Sequence, residues 1–179
     1  MGMPHIEGER NFIPVRIAVA TISDTRTLKD DKSGDTLVGR IEQAGHVLGA
    51  REIVKDDTDI IEKLLKRWIA DANIDVVITT GGTGLTGRDV TPEAFRRVCE
   101  KDIPGFGELF RWISYQKIKT STIQSRAMAI LANGTYLFAL PGSTSACKDA
   151  WDDILVHQLD ARTRPCNMVE LMPRLKEHL

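Results

Sequence analysis

The sequence has no apolar run near the roughly 20 residues that cross a bilayer, so no membrane-spanning role is expected. Cysteine is scarce. Cys99, Cys147 and Cys166 are odd in number and lack Cys-x-x-Cys spacing, which argues against a disulfide framework or a zinc site and for reduced thiols. His5, His46, His157 and His178 are scattered and form no ligand pair at helical spacing. Charge of one sign is also missing. With 24 Lys and Arg against 25 Asp and Glu, the net charge of −1 gives no electrostatic reason to expect nucleic acid or an anionic membrane as partner. There is no internal repeat, low-complexity tract or linker, and Met1 to Asn11 lacks the apolar core of a signal peptide. These absences predict a cytoplasmic protein. Its 179 residues, 42% of them hydrophobic, are ample for one core. The division expected is a flexible arm over 1–12, with the chain still loose up to Pro14, and a single domain over 13–179.

What is present centres on Val76-Val77-Ile78-Thr79-Thr80-Gly81-Gly82-Thr83-Gly84-Leu85-Thr86-Gly87-Arg88-Asp89. An apolar, β-branched run breaks into four glycines within seven residues and ends on an acid. Thr91-Pro92-Glu93 then starts a helix, with Thr91 as N-cap and Pro92 at N1. This reads as a buried parallel strand, a loop and a helix start. Ligands of open α/β sheets bind at such strand ends, and glycine N–H groups approach phosphates closely. The expectation is an anionic-ligand loop with Asp89 free to hold a metal or orient a substrate. Gly82 to Gly87 also satisfies GxGxxG, but the helix signal comes four residues too late for a dinucleotide fold. A P-loop reading fails because Arg88-Asp89 stand where Lys-Ser/Thr is needed.

The rest of the chain alternates. Val15 to Ile22 reads as a central strand ending in the polar Ser23-Asp24-Thr25-Arg26. A helix from Ser33 to about Ala44 stops at Gly45. Arg51 to Val54 is a short strand ending in Lys55-Asp56-Asp57-Thr58, where Asp57 or Thr58 can cap the next helix. Ile60, Ile61, Leu64, Leu65, Trp68 and Ile69 give that helix its apolar face. The helix at Thr91 runs to about Lys101. Pro104 to Gly107 reads as a turn and Glu108 to about Ile118 as a helix with Leu109, Trp112 and Ile113 on one face. Ala127 to Ala132 and Thr135 to Leu140 flank Asn133-Gly134, a hairpin signal. Leu140-Pro141-Gly142-Ser143 again runs a strand into a polar turn, before a helix from Ser145 to about Ala161. The order predicts an α/β fold, three-layer α/β/α, with a mostly parallel central sheet and an antiparallel edge hairpin.

These pieces resemble the MogA/MoaB family of molybdenum cofactor biosynthesis proteins. The resemblance is carried by Thr80-Gly81-Gly82-Thr83-Gly84 with Arg88-Asp89-Val90-Thr91-Pro92-Glu93, by Ile103 to Glu108, by Leu140-Pro141-Gly142-Ser143 and by Asp31-Lys32-Ser33-Gly34. It covers the chain from Ile13. Gln158 to Asn167 is similar to the MoaB branch in particular.

The resemblance implies a molybdopterin-binding-domain fold assembled as a homotrimer or hexamer, with molybdopterin, ATP and other proteins of the pathway as partners. It implies transfer of AMP from ATP to molybdopterin with Mg²⁺, although members of the MoaB branch can lack that activity and act only as binding proteins. Two aspartates of the family match Asp56 and Asp89 here, as catalytic residues and metal ligands. Thr80, Gly81, Gly82, Thr83, Gly84, Ser125, Arg126, Pro141, Gly142 and Ser143 are the substrate-binding residues it implies. Each has a plainer reading. Asp89 can cap a helix, as can Asp56 or Asp57. Arg126 can meet a phosphate or a surface acid, and Ser143, Thr144 and Ser145 can bind substrate or merely cap the long helix. Trp68, Trp112 and Trp151 read as core or interface residues rather than pterin stackers.

Overall fold

A computed structural model describes residues 5–177. The elements run β1 (His5–Ile6), β2 (Arg16–Ile22), α1 (Lys32–Gln43), β3 (Val47–Val54), α2 (Thr58–Ile69), β4 (Val76–Thr80), α3 (Thr91–Val98), β5 (Lys101–Asp102), α4 (Pro104–Ile118), β6 (Met128–Ala132), β7 (Thr135–Leu140), α5 (Thr144–Ala150) and β8 (Thr163–Arg164). The α5 helix continues through a π turn at Trp151–Leu155 and a last turn to Gln158. A six-stranded sheet has the order β3-β2-β4-β7-β6-β5; the first four strands are parallel and the last two pairings antiparallel.

Alternation along the strands builds two cores. Ile17, Val19, Val76, Ile78, Phe138 and Leu140 face α1, α4 and α5, where they meet Leu37, Ile41, Phe110 and Trp151. Ala18, Ala20, Val77, Leu137 and Ala139 face the other way, against Ile61, Leu65 and Trp68 of α2 and Phe95 of α3. The central strands are therefore buried on both faces, which is why they read as continuous apolar runs. The result is the three-layer α/β/α fold expected.

Several local expectations need correction. The hairpin closes on Asn133 and Gly134, both at positive φ (47° and 79°), as a two-residue turn requires. It is not at the edge, however. β7 pairs with β4, and the two-residue β5 lies outside β6. The turn expected at Pro104 to Gly107 is the first turn of α4, because Pro is preorganised for a helix start. On that helix Leu109 and Trp112 point outward, whereas Phe106, Phe110 and Ser114 are buried and Ile113 packs on the core. Val90, not Thr91, is the N-cap of α3, and the Thr91 hydroxyl donates instead to the Gly81 carbonyl at 2.9 Å. Asp57 caps α2, accepting from the N–H groups of Asp59 and Ile60.

The expected loose arm is tied down where it is described; residues 1–4 lie outside the described residues. β1 pairs with β8, Glu7 and Arg10 form ion pairs with Arg164 and Glu170, and Phe12 lies beside His46 with ring centroids 5.0 Å apart. Among the described residues no helix is long and apolar enough to cross a membrane.

His46 joins the arm to the core. It is 6% exposed, sits between Phe12 and Trp151, and its Nδ1 accepts the Val15 N–H at 3.2 Å. Burial lowers its pKa below 6.5 despite the nearby Asp160 carboxylate. The native state thus binds this proton less readily than the unfolded chain does. The stabilisation is present above pH 6.5 and is lost as pH falls towards the folded pKa. One group contributes a slope of at most about 1.4 kcal/mol per pH unit. Denaturant melts between pH 7.5 and 5 should show this loss, and a His46→Phe variant should show a flatter profile. An equal slope in that variant would place the effect elsewhere.

Candidate functional site

The carboxyl ends of β2, β4 and β7 meet at one point. After β4 the chain turns at Gly81 (φ 106°) and Gly82 (φ 65°). A Cβ on Gly81 would stand 2.2 Å from the Ile22 carbonyl oxygen, and one on Gly82 would stand 2.4 Å from Thr91 Oγ1 and 3.0 Å from Asp56 Oδ1. Only glycine fits a left-handed backbone packed this closely. Beside this loop opens a cleft of about 440 Å³, within the usual range for small-molecule sites.

The cleft gathers much of the expected set. Gly81, Gly82, Thr83, Gly84 and Asp89 line it from one loop, Ser125 from the segment before β6, and Pro141, Gly142 and Ser143 from the loop after β7. Thr80, Asp56 and Arg126 are not in its lining. Thr80 is buried and its hydroxyl donates to the Pro141 carbonyl at 2.9 Å. The Arg126 guanidinium donates to the Gly84 carbonyl at 2.7 Å and the Asp89 carbonyl at 2.5 Å, and pairs with Glu93. It braces the glycine loop from within the protein. Ser143 caps α5, accepting from the Ala146 N–H at 3.2 Å.

The two aspartates sit in different environments. Asp89 Oδ2 accepts from the Thr86 N–H at 2.8 Å and the Thr86 hydroxyl at 2.6 Å. Burial pushes its pKa up, but those donors, the Gly84 N–H and Arg126 outweigh burial and hold it below the usual carboxylate value. Asp56 is half-buried after β3. Burial and the Asp24 carboxylate push its pKa up, Arg88 opposes them, and Asp89 adds to the rise. Arg88 donates to Asp24 Oδ2 through Nε at 3.0 Å and Nη2 at 2.5 Å. Negative charge is therefore crowded around Gly82, between the ends of β2, β3 and β4. No group of three or more metal-binding side chains is found among the described residues. The carboxylates of Asp56 and Asp89 offer hard oxygen, a donor type that would suit Mg²⁺ completed by ligand phosphates rather than an all-protein cage.

The Asp31-Lys32-Ser33-Gly34 motif acts behind the cleft. Asp31 is fully buried and accepts from Thr21 Oγ1 at 2.7 Å, Gly34 N at 3.0 Å and Arg51 Nη2 at 3.1 Å. Ser33 Oγ and Arg26 Nη2 both donate to the Gly142 carbonyl, at 2.7 and 3.1 Å.

Sequence reasoning missed the wall opposite the loops. Phe110, Ser114, Lys117 and Ile118 of α4 line the cleft at i, i+4, i+7 and i+8, and Ala146 and Asp149 of α5 join them beside Ser145, for which the sequence leaves substrate binding as one of two readings. That spacing was a readable signal of shared helix faces.

Residues 18–161 match the family described as a probable molybdopterin binding domain. Molybdenum cofactor biosynthesis protein B of Escherichia coli (strain K12) is 48% identical over 166 residues, 93% of this chain and 96% of that protein. The chain belongs to the MogA/MoaB family. A crystal structure of a molybdenum cofactor biosynthesis protein B superposes with a TM-score of 0.84 at 37% identity, covering 94% of this chain and 99% of that one. The tungsten cofactor synthesizing protein MoaB of Pyrococcus furiosus superposes at 0.70 with 32% identity, over 92% and 96%. The glycine-loop cleft is thus built on a MogA/MoaB scaffold along nearly its whole length.

Arg126 makes a direct demand on this scaffold. Arg126→Ala leaves the Gly84 and Asp89 carbonyls without their donor and should cost roughly 2 kcal/mol. Hydrogen exchange should then rise in Gly82 to Asp89 before the core strands. Unchanged stability and exchange would remove Arg126 from the bracing role.

Proposed function

We propose that this MogA/MoaB protein adenylylates molybdopterin, using ATP as co-substrate and Mg²⁺ held by Asp56 and Asp89. The observation that carries the reading is the convergence of Asp89, at the cleft, and Asp56, beside Gly82, on one glycine loop at the strand ends. The reaction joins two phosphate-bearing molecules. An oxygen of the molybdopterin terminal phosphate attacks the α-phosphorus of ATP. A new P–O bond forms, the α–β anhydride bond breaks, and pyrophosphate leaves with its electron pair. Bound Mg²⁺ supplies charge stabilisation at the attacked phosphate and the leaving group.

The chain's own residues do the positioning. At Gly82 and Gly84 the backbone would let phosphate oxygens approach with no side chain in the way. Thr86 fixes the orientation of the Asp89 carboxylate before any ligand arrives. Holding reactants in line is a large part of catalysis in phosphoryl and nucleotidyl transfer.

The test is single-turnover transfer from α-labelled ATP to molybdopterin. Asp89→Asn should lower the rate by more than about 100-fold while leaving the melting temperature near that of the wild type. A normal rate in Asp89→Asn sinks the ligand role. No product from the wild type, with molybdopterin still bound, makes the chain a binding or docking protein of the pathway.

The same proposal includes a homotrimer or hexamer. Leu109, Trp112 and Tyr115, spaced three apart on α4, are exposed, and Trp112 is 65% accessible. Such a patch suits burial against a partner. Trp112→Glu should shift the mass measured by light scattering towards the monomer. A wild type that is already monomeric would exclude the assembly.

A further inference from the structure

We propose that Asp149 and Lys117 read the 2-amino-4-oxo edge of the pterin ring; the assignment rests on molybdopterin being the ligand of the cleft. Lys117 lies in the last turn of α4 and Asp149 on α5, and both line the cleft. Lys117 Nζ stands 2.6 Å from Asp149 Oδ1 and 3.8 Å from Asp153 Oδ2. The Asp149 side chain is 18% exposed. The wall around the pair mixes apolar and hydroxyl side chains, with Phe110, Ile118 and Ala146 beside Ser114 and Ser145.

The chemistry of this wall differs from that of the glycine loop. A carboxylate in a cleft for a phosphate-bearing ligand repels that ligand unless a cation bridges the two, as proposed for Asp89, or the ligand donates hydrogen bonds to it. A pterin supplies them. Its edge presents the C2 amino N–H, the N3–H and the C4 carbonyl in sequence, a donor–donor–acceptor row. The Asp149 carboxylate offers two acceptors and the adjacent Lys117 ammonium a donor. The order is complementary, and the apolar members of the wall, Phe110, Ile118 and Ala146, suit the faces of a flat heterocycle. A purely structural role explains less. An ion pair with one partner half-exposed contributes little to stability, about 0–1 kcal/mol. That leaves the placement of the pair within the cleft wall unaccounted for.

The test compares pterin with lumazine, which carries a carbonyl oxygen in place of the C2 amino group. Binding to wild type, Asp149→Asn and Lys117→Ala is read by pteridine fluorescence. Wild type should favour pterin at least tenfold. Asp149→Asn presents one acceptor and one donor, matching N3–H and the C2 oxygen of lumazine, so the preference should vanish or invert. Lys117→Ala should weaken both pteridines by a similar factor, because both keep the C4 carbonyl. Melting curves of the variants check that the fold is intact. The assignment is overturned by a wild type that binds neither compound or does not discriminate, or by an Asp149→Asn variant with the wild-type ratio.

Adenylyl transfer to molybdopterin, measured in parallel, separates this assignment from the transferase reading. Wild type with an Asp149-dependent pterin preference and no adenylyl product loses the catalytic reading and keeps this one. Product from Asp149→Asn at an unchanged KM for molybdopterin keeps the transferase and overturns the role of Asp149.

Discussion

The site depends on backbones meeting where side chains would otherwise stand. The Gly81 N–H donates to the Leu140 carbonyl at 3.0 Å. A Cβ on Gly81 would press on the Ile22 carbonyl, and one on Gly142 would lie 3.4 Å from Gly81 Cα. The ends of β2, β4 and β7 are therefore joined within one backbone thickness. The Thr91 N–H and hydroxyl hold α3 to the same point, donating to the carbonyls of Gly82 and Gly81. The glycine loop inherits the rigidity of the sheet, and beyond Gly81, whose N–H is spent on Leu140, its backbone needs little reorganisation to meet a ligand.

Polar bracing extends that rigidity to the other loops. Burying Asp31 costs desolvation, which is offset only because Thr21, Gly34 and Arg51 all donate to it. The same segment supplies Ser33, which with Arg26 fixes the Gly142 carbonyl. Arg126 does the equivalent for Gly84 and Asp89. A polar motif of this family is thus divided in its labour. Some of its members face the cleft, and others hold the backbones that face it.

The strands, the layer order and the glycine loop were legible because local and long-range signals agreed: β-branched runs, apolar periodicity, and glycines where no Cβ fits. The Asn133-Gly134 turn was legible for the same reason. Hairpin position was not, since nothing within β6 or β7 states that two residues at Lys101–Asp102 will add outside them. Pro104 to Gly107 misled because Pro and Gly mark a helix start as well as a turn. The roles of Asp31, Arg26 and Arg126 were hidden for a different reason. A side chain that braces a loop and one that meets a ligand have the same chemistry in sequence, and only the partners tell them apart. The α4 and α5 wall went unread because the outward Leu109 and Trp112 drew the apolar face to the wrong side.

The asymmetry between the two aspartates bears on how a charged ligand is accommodated. Asp89 is fixed by donors from its own loop, at 2.6 and 2.8 Å from Thr86. Asp56 accepts from the Asp24 N–H and lies near Arg88, whose side chain is engaged by Asp24 and is 65% exposed. Exposed ion pairs are weak and screened by salt, so this counter-charge is readily displaced. A divalent cation arriving between Asp56 and Asp89 would meet one carboxylate oriented by Thr86 and one whose nearby counter-charge is exposed. It would also release Arg88 from neutralising duty. Mg²⁺ demands near-octahedral geometry and keeps ligand phosphates in its shell. In such a site two protein carboxylates would leave the remaining positions of the ion to be set by the substrate.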